Sequence, residues 1–432
     1  MLATFSRLAA TAAAAVACAG ALAAPPPAAA PLTLRAAMEA ALAGQPALQA
    51  LARRREATAA GRYTAALRPP LILGAEVENV FGTGEASGTG GSERTLALSY
   101  VVELGGQRQA RIELADARTT LAEAGERIAV LDLLASVAQR YITVAASQTR
   151  LDLAREAIEL TRQRLATTER LVQAGRSPGA ERARAQAALA VSRLELEHAE
   201  HELRAARVTL AATWGELEPD FPHVTAAFAS VGDPGDLQAL LDAVVDNPDI
   251  TRFTDEGRLW QAELALAQAR GRGEVRMTGG VRRLGTTGDN ALVVGAAVPL
   301  FPARRLTGER LAAEAQARAV DFDREAALLQ LRTALYGIYQ ERLHALEQVR
   351  MLRREVIPQL EQALTETRAA YLRGRYGYLE WSSAQQALLE ARAELINAIA
   401  HAHATRVELE RLAGAPLLDL PEATLREQTH DD

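Results

Sequence analysis

The side chains able to do chemistry are few, and the carboxylates among them sit beside two glycine turns. Glu181 follows the first turn in "AGRSPGAERARAQAAL" and Glu380 follows the second in "RGRYGYLEWSSAQQAL". A carboxylate placed there opens a helix, where the positive end of the helix dipole favours it. Four of the seven histidines come in two pairs, His198 with His201 in "HAEH" and His401 with His403 in "HAH". Spacing of three or four puts two side chains on one helix face, yet two imidazoles make only part of a metal site. A solvated helix face is the simpler reading of both pairs. The glycine run over 82–91 lacks the G-K-[ST] ending of a phosphate loop. No G-x-S-x-G elbow and no H-E-x-x-H motif occurs anywhere in the chain. The sequence therefore points away from an enzyme, and it calls for no cofactor and no resident metal.

What must position the two turns is a duplicated scaffold. Gly175 and Gly374 are 374 − 175 = 199 residues apart. The same step carries Arg176 to Arg375, Glu181 to Glu380, Ala185 to Ala384, Gln186 to Gln385 and Leu189 to Leu388. Further upstream, "AAMEAALAGQPAL" at 36–48 resembles "ALLDAVVDNPDI" at 239–250, with Pro46 and Pro248 separated by 248 − 46 = 202. Self-similarity of this kind determines the whole architecture. Each copy reads as short helix, two strands, very long helix, turn and long helix. The copies occupy 24–235, which includes a linker, and 236–416, followed by a polar tail over 417–432.

Heptads run through both helical hairpins, expected over 106–214 and 303–413. Ile158, Leu165 and Val172 recur every seven residues, as do Ile357, Leu364 and Tyr371. Such a period makes neighbouring helices supercoil along a narrow seam. From Gly106 to Ala174 there is no proline, so those ~68 positions predict one helix about 100 Å long. Pro358 should bend the second copy's counterpart. The strands are expected at 71–82, 94–104, 274–285 and 291–300. Their lengths suit a tilted strand crossing a bilayer, and Leu96, Leu98, Tyr100 and Val102 share one face. Phe81, Tyr100 and Phe301 make only a thin aromatic girdle.

Composition agrees with long packed helices. Aromatics are 4% of 432 residues, while hydrophobic residues reach 49%, mostly alanine and leucine. The formal charge of −6 argues against nucleic acid as a partner. Residues 1–23 read as a secretory signal peptide with an A-x-A site at Ala21-Leu22-Ala23. Cys18, the single cysteine, follows "AVA", a poor lipidation motif; removed with the signal, it leaves no thiol for a disulfide or metal site. Beyond the signal no apolar run reaches 18 residues, so any membrane crossing is expected to be made by strands. Four strands cannot close a barrel, so several chains must pool them.

The duplicated plan, the junctions "VVELGGQRQARIELADA" and "AVPLFPARRLTGERLAAEAQARA", and the turn "AAYLRGRYGYLEWSSAQQALLEA" resemble the TolC family of outer-membrane efflux proteins. "VELGGQR" is most similar to its heavy-metal, cobalt–zinc–cadmium branch. The resemblance implies a mainly α fold with membrane β. In it a homotrimer gives four strands per chain to a 12-stranded β-barrel, continued by a long α-helical periplasmic barrel. It implies a passive efflux duct set in outer-membrane lipid, with a periplasmic membrane-fusion adaptor and an inner-membrane pump of the RND type as partners. The turns become the adaptor-docking tips: Leu171, Val172, Gly175 and Arg176, with Tyr371, Leu372, Gly374 and Arg375. Some family members carry a D-x-x-D acidic pair past the second turn. Glu380 and Ser383 hold those places here, so half the pair is missing; Glu181 is the first-turn counterpart. A ring of such carboxylates would attract cations in a narrow channel mouth. The competing reading of the residues is a periplasmic coiled-coil scaffold whose strands never enter a membrane.

Overall fold

The computed structural model describes residues 30–414. The signal peptide, Cys18 and the polar tail over 417–432 lie outside them. The first copy runs α1 (Leu34–Gly44), α2 (Pro46–Ala66), β1 (Ile72–Glu78), β2 (Glu93–Glu103), α3 (Gln107–Gln173) and α4 (Gly179–Ala211). The second runs α5 (Leu237–Ala243), α6 (Pro248–Arg270), β3 (Glu274–Leu284), β4 (Asn290–Ala297), α7 (Pro302–Arg305), α8 (Thr307–Met351), α9 (Ile357–Leu372) and α10 (Tyr378–Ala413). The internal repeat is thus a repeat of structure.

Two elements go beyond the expected plan. Each copy carries a second helix before its strands, α2 of 21 residues and α6 of 23. The matched prolines explain their starts: Pro46 and Pro248 both stand at the first helical position, where a missing N–H costs nothing. Asn247 caps α6 through Asp249 N–H at 2.8 Å, and its amide also donates to the carbonyls of Arg411 and Leu412. The strands are also shorter than expected at one end. β1 stops at Glu78 rather than continuing to 82, because Asn79 and Phe81 turn into the left-handed region at φ 54°.

α3 runs 67 residues unbroken, about 100 Å. By length and composition one stretch of α3 is apolar enough to cross a membrane, although its apolar residues do not form one uninterrupted run. Its apolar side is instead core: Val137, Ala138, Tyr141, Val144 and Ala145 pack with Leu34, Met38, Leu210, Phe221 and Ile399. The linker between the copies belongs to that core. Phe221, Val224 and Phe228 are buried, and Val224 makes a parallel bridge to Leu32. His403 Nε2 bonds the Phe228 carbonyl at 2.9 Å, while Arg342 donates to the carbonyls of Gly232 at 3.0 Å and Asp233 at 2.9 Å. The linker is therefore a strap fastened across α8 and α10.

The four strands form one antiparallel sheet in the order β1-β2-β3-β4, so the two copies join between β2 and β3. The glycines of "ELGGQR" serve that junction. Gly105 has φ 74°, and a Cβ there would lie 2.3 Å from the Arg272 side chain. Gln107 then donates to the Gly273 carbonyl at 2.8 Å. Arg111 of α3 pairs with Glu103 and reaches the Leu67 carbonyl, locking the sheet to the helices.

Candidate functional site: a two-faced sheet and a helical tip

Register assigns every strand residue to a face. On one face, successive rows across the sheet read Ala75, Leu96, Val281, Leu292 and then Leu73, Leu98, Gly279, Val294. Leu96, Leu98, Val281, Leu292 and Val294 are all exposed. The other face carries Glu76, Glu78, Glu93, Thr95, Ser99, Thr278 and Arg282. Over 94–98 of β2 and 277–283 of β3, toward the loops, the first face is the more exposed one. Ser99 and Thr278 hydroxyls meet at 3.0 Å on the polar face, and Arg282 reaches Glu93 at 2.7 Å and Glu78 at 2.9 Å. Apolar outside and polar inside is the pattern of a membrane barrel wall. Among the described residues β1 and β4 each leave one edge unpaired, which hydrocarbon does not tolerate.

At the far end of the helices the two turns have one geometry. Gly175 has φ 67° and Gly374 φ 73°. Arg176 N–H returns to the Leu171 carbonyl at 2.9 Å and Gly175 N–H to Val172 at 3.0 Å. Arg375 N–H likewise returns to Ala370 at 3.0 Å and Gly374 N–H to Tyr371 at 2.9 Å. Both helices thus end in a Schellman closure, which needs a left-handed residue where glycine carries no steric penalty. The tips touch: Arg176 donates to the Leu372 carbonyl at 3.0 Å.

The structure separates the expected tip residues. Gly175, Arg176, Leu372, Gly374 and Arg375 are exposed, and Leu171 and Val172 are half-buried. Tyr371 differs from these in its burial. Only 4% exposed, it packs its ring 5.1 Å from that of Trp381 and donates its hydroxyl to Glu181 at 2.9 Å. It is packed between the hairpins, and burial pushes its phenol up from the ordinary range. Glu181 is similarly consumed, since Ser177 and the Tyr378 N–H also donate to it. Glu380 and Ser383 are exposed on α10. Sequence reading passed over Tyr378 and Trp381, both 4% exposed, and the exposed Tyr376 and Leu379. The i, i+3 spacing of Tyr378 and Trp381 in "YGYLEW" was the available signal. Arg164 is also buried, its guanidinium 5.3 Å from the centre of the Tyr378 ring and 3.2 Å from Ser382 Oγ. Loss of water there holds it below its ordinary range.

The histidine pairs do not converge. His198 and His201 each face a glutamate on their own helix, Glu202 at 3.2 Å and Glu197 at 3.9 Å. His401 is exposed while His403 is buried. Among the described residues no three His, Cys, Asp or Glu side chains are grouped to hold a metal ion.

Residues 37–216 and 242–415, one span in each copy, match the family described as outer membrane efflux protein. The chain belongs to that family. It is an outer-membrane efflux channel whose helices extend into the periplasm, and the scaffold reading outside the membrane falls away. The cobalt-zinc-cadmium resistance protein CzcC of Cupriavidus metallidurans is 26% identical over 384 residues, covering 89% of this chain and 90% of that protein. The nickel and cobalt resistance protein CnrC of the same organism is 29% identical over 274 residues, 60% of this chain and 63% of its own. In fold, the efflux channel protein resembles CusC, with a TM-score of 0.73 at 18% identity over 89% of this chain and 92% of that one. VceC of Vibrio cholerae gives a TM-score of 0.71 at 21% identity, covering 89% and 96%.

Proposed function

We propose that three copies of this chain form a passive duct that carries divalent heavy-metal cations from periplasm to exterior. The observation that carries the trimer is the sheet, four strands with one apolar face, one polar face and two unpaired edges. Three such sheets give 3 × 4 = 12 strands, enough to close a barrel. The metal class rests on CzcC and CnrC, whose names record resistance to cobalt, zinc and cadmium and to nickel and cobalt. A duct stores no energy, so an inner-membrane pump of the RND type supplies it, with a periplasmic adaptor joining the two. The adaptor docks on the exposed tip: Arg176, Leu372, Gly374 and Arg375, with Leu171 and Val172 beneath.

Glu380 is the gate carboxylate in this reading. Three copies around one axis hold like charges close, which favours a bound cation over anions. Glu181 is tied to Tyr371, Ser177 and Tyr378, so its role is to hold the tip shut as a unit. Reconstituted in a planar bilayer, the trimer should conduct weakly, prefer cations and be partly blocked by trivalent cations from the periplasmic side. Glu380→Ala should relieve the block and weaken the preference, whereas exposed Glu197→Ala on α4 should do neither. Equal block in wild type and Glu380→Ala would remove Glu380 from the gate.

A further inference from the structure

The loop end of the sheet treats its arginines in two ways. On the polar face Arg282 is fully engaged, with Glu78, Glu93 and the Thr95 hydroxyl at 2.9 Å, 2.7 Å and 2.9 Å. One residue along, on the face of Leu96 and Val281, Arg94 of β2 stands directly opposite Arg283 of β3. Both are exposed. Their row reads Val77, Arg94, Arg283, Asn290, and among the described residues neither arginine side chain has a hydrogen bond or ion pair. Like charges set directly opposite each other across a sheet disfavour the pairing, so this juxtaposition calls for a counter-charge from outside the chain.

Position identifies that counter-charge. The rows immediately inward are the apolar ones of Leu96, Val281 and Leu292 and of Leu98 and Val294. The helices leave from the opposite end of the sheet, so the loops face the exterior and the arginine row lies where the outer leaflet's hydrocarbon gives way to headgroups. Cationic side chains on the lipid face are tolerated there and not at mid-membrane. Two adjacent guanidiniums present flat, forked donor arrays that suit the oxygens of a phosphate. We infer that Arg94 and Arg283 form a binding site for the phosphate groups of an outer-leaflet glycolipid, with Asn290 as a flanking donor and the apolar rows below receiving its acyl chains. The inference rests on the sheet standing in the outer membrane, as the duct reading requires.

The test uses the purified full-length assembly in detergent, with bisphosphorylated lipid A as the probe and bound lipid counted by native mass spectrometry. Arg94→Ala with Arg283→Ala should weaken lipid A binding by about ten-fold or more, the worth of a charge-assisted phosphate contact. Dephosphorylated lipid A should bind wild type as weakly as lipid A binds the double variant, and millimolar inorganic phosphate should not displace lipid A. Arg276→Ala, on the polar face, should bind as wild type. Should the double variant fail to assemble, Arg283→Gln alone should still show a partial loss. Unchanged binding in the double variant overturns the site, and displacement by inorganic phosphate makes it a free-anion site and overturns the lipid. A loop tag reachable from outside intact cells together with unchanged lipid binding sinks this inference alone; an unreachable tag sinks the membrane placement beneath it.

Discussion

The two copies share a plan and divide the labour. In the first, α3 climbs 67 residues without a break. In the second, the same climb is made by α8 and α9 with a π-turn over Leu352–Val356 between them. Pro358 is the cause. It has no N–H for the Arg354 carbonyl and its ring crowds that carbonyl; Ile357 N–H bonds instead to Leu352, five residues back. At the tip the asymmetry reverses. The second turn brings Tyr371, Tyr378 and Trp381, while the first brings only Ala185 to that buried cluster. The first copy is thus the stiff post, and the second supplies both the joint and the aromatic clasp.

Breaking the clasp at its backbone should have the largest effect. Gly374→Val forces a β-branched residue to φ 73°, although open space surrounds it. The strain is about 1–2 kcal/mol or more, roughly ten-fold in an equilibrium. It bears on Tyr371, whose carbonyl receives the Gly374 N–H. Metal export by cells carrying this variant should be abolished while trimers still assemble on gels. Gly175→Val should impair export less, because its closing bond goes to Val172, which carries no clasp. Equal export from Gly374→Val and wild type would show that the turn geometry is dispensable.

A subtler break removes one atom. Tyr371→Phe deletes a donor to the half-buried Glu181 and should cost about 1–3 kcal/mol in thermal unfolding. Tyr376→Phe, on the exposed side of the same turn, should leave the melting temperature unchanged. Smaller still is the joint. Pro358→Ala should let α8 run into α9 and raise stability by on the order of 1 kcal/mol, since the π-turn already relieves most of the clash. A structure of that variant retaining the π-turn would assign it to packing rather than to proline.

The strap gives the mildest effect, and its sign follows from burial. Burial holds the His403 imidazole below its ordinary value despite the Phe228 bond, and Arg342 and Arg406 reinforce this. The unfolded chain therefore takes up the proton at higher pH than the folded one. Stability is full above about pH 6.5 and declines as pH falls toward the folded value. His403→Gln should flatten that decline in melting curves taken between about pH 7.5 and 5.5.

Much of this was legible in the sequence, for physical reasons. Heptads and the 199-residue offset of the glycine turns expose the hairpins, because helix packing writes a period into the chain. The strands are legible by length and by the faces of Leu96 and Leu98. α2 was not, since none of its residues is buried and no apolar stripe marks it. The clasp was not legible either. Tyr371 and Glu181 are 190 residues apart, and only the folded hairpins bring them to 2.9 Å.

The central claim is that the sheet spans the outer membrane with its loops outside, and a tag in the β1–β2 loop tests it most directly. Gly88 is exposed, with nothing within 4 Å of where a Cβ would stand, so an epitope inserted there should not disturb the sheet. Antibody should reach it on intact cells. Binding seen only after the outer membrane is ruptured would contradict the account.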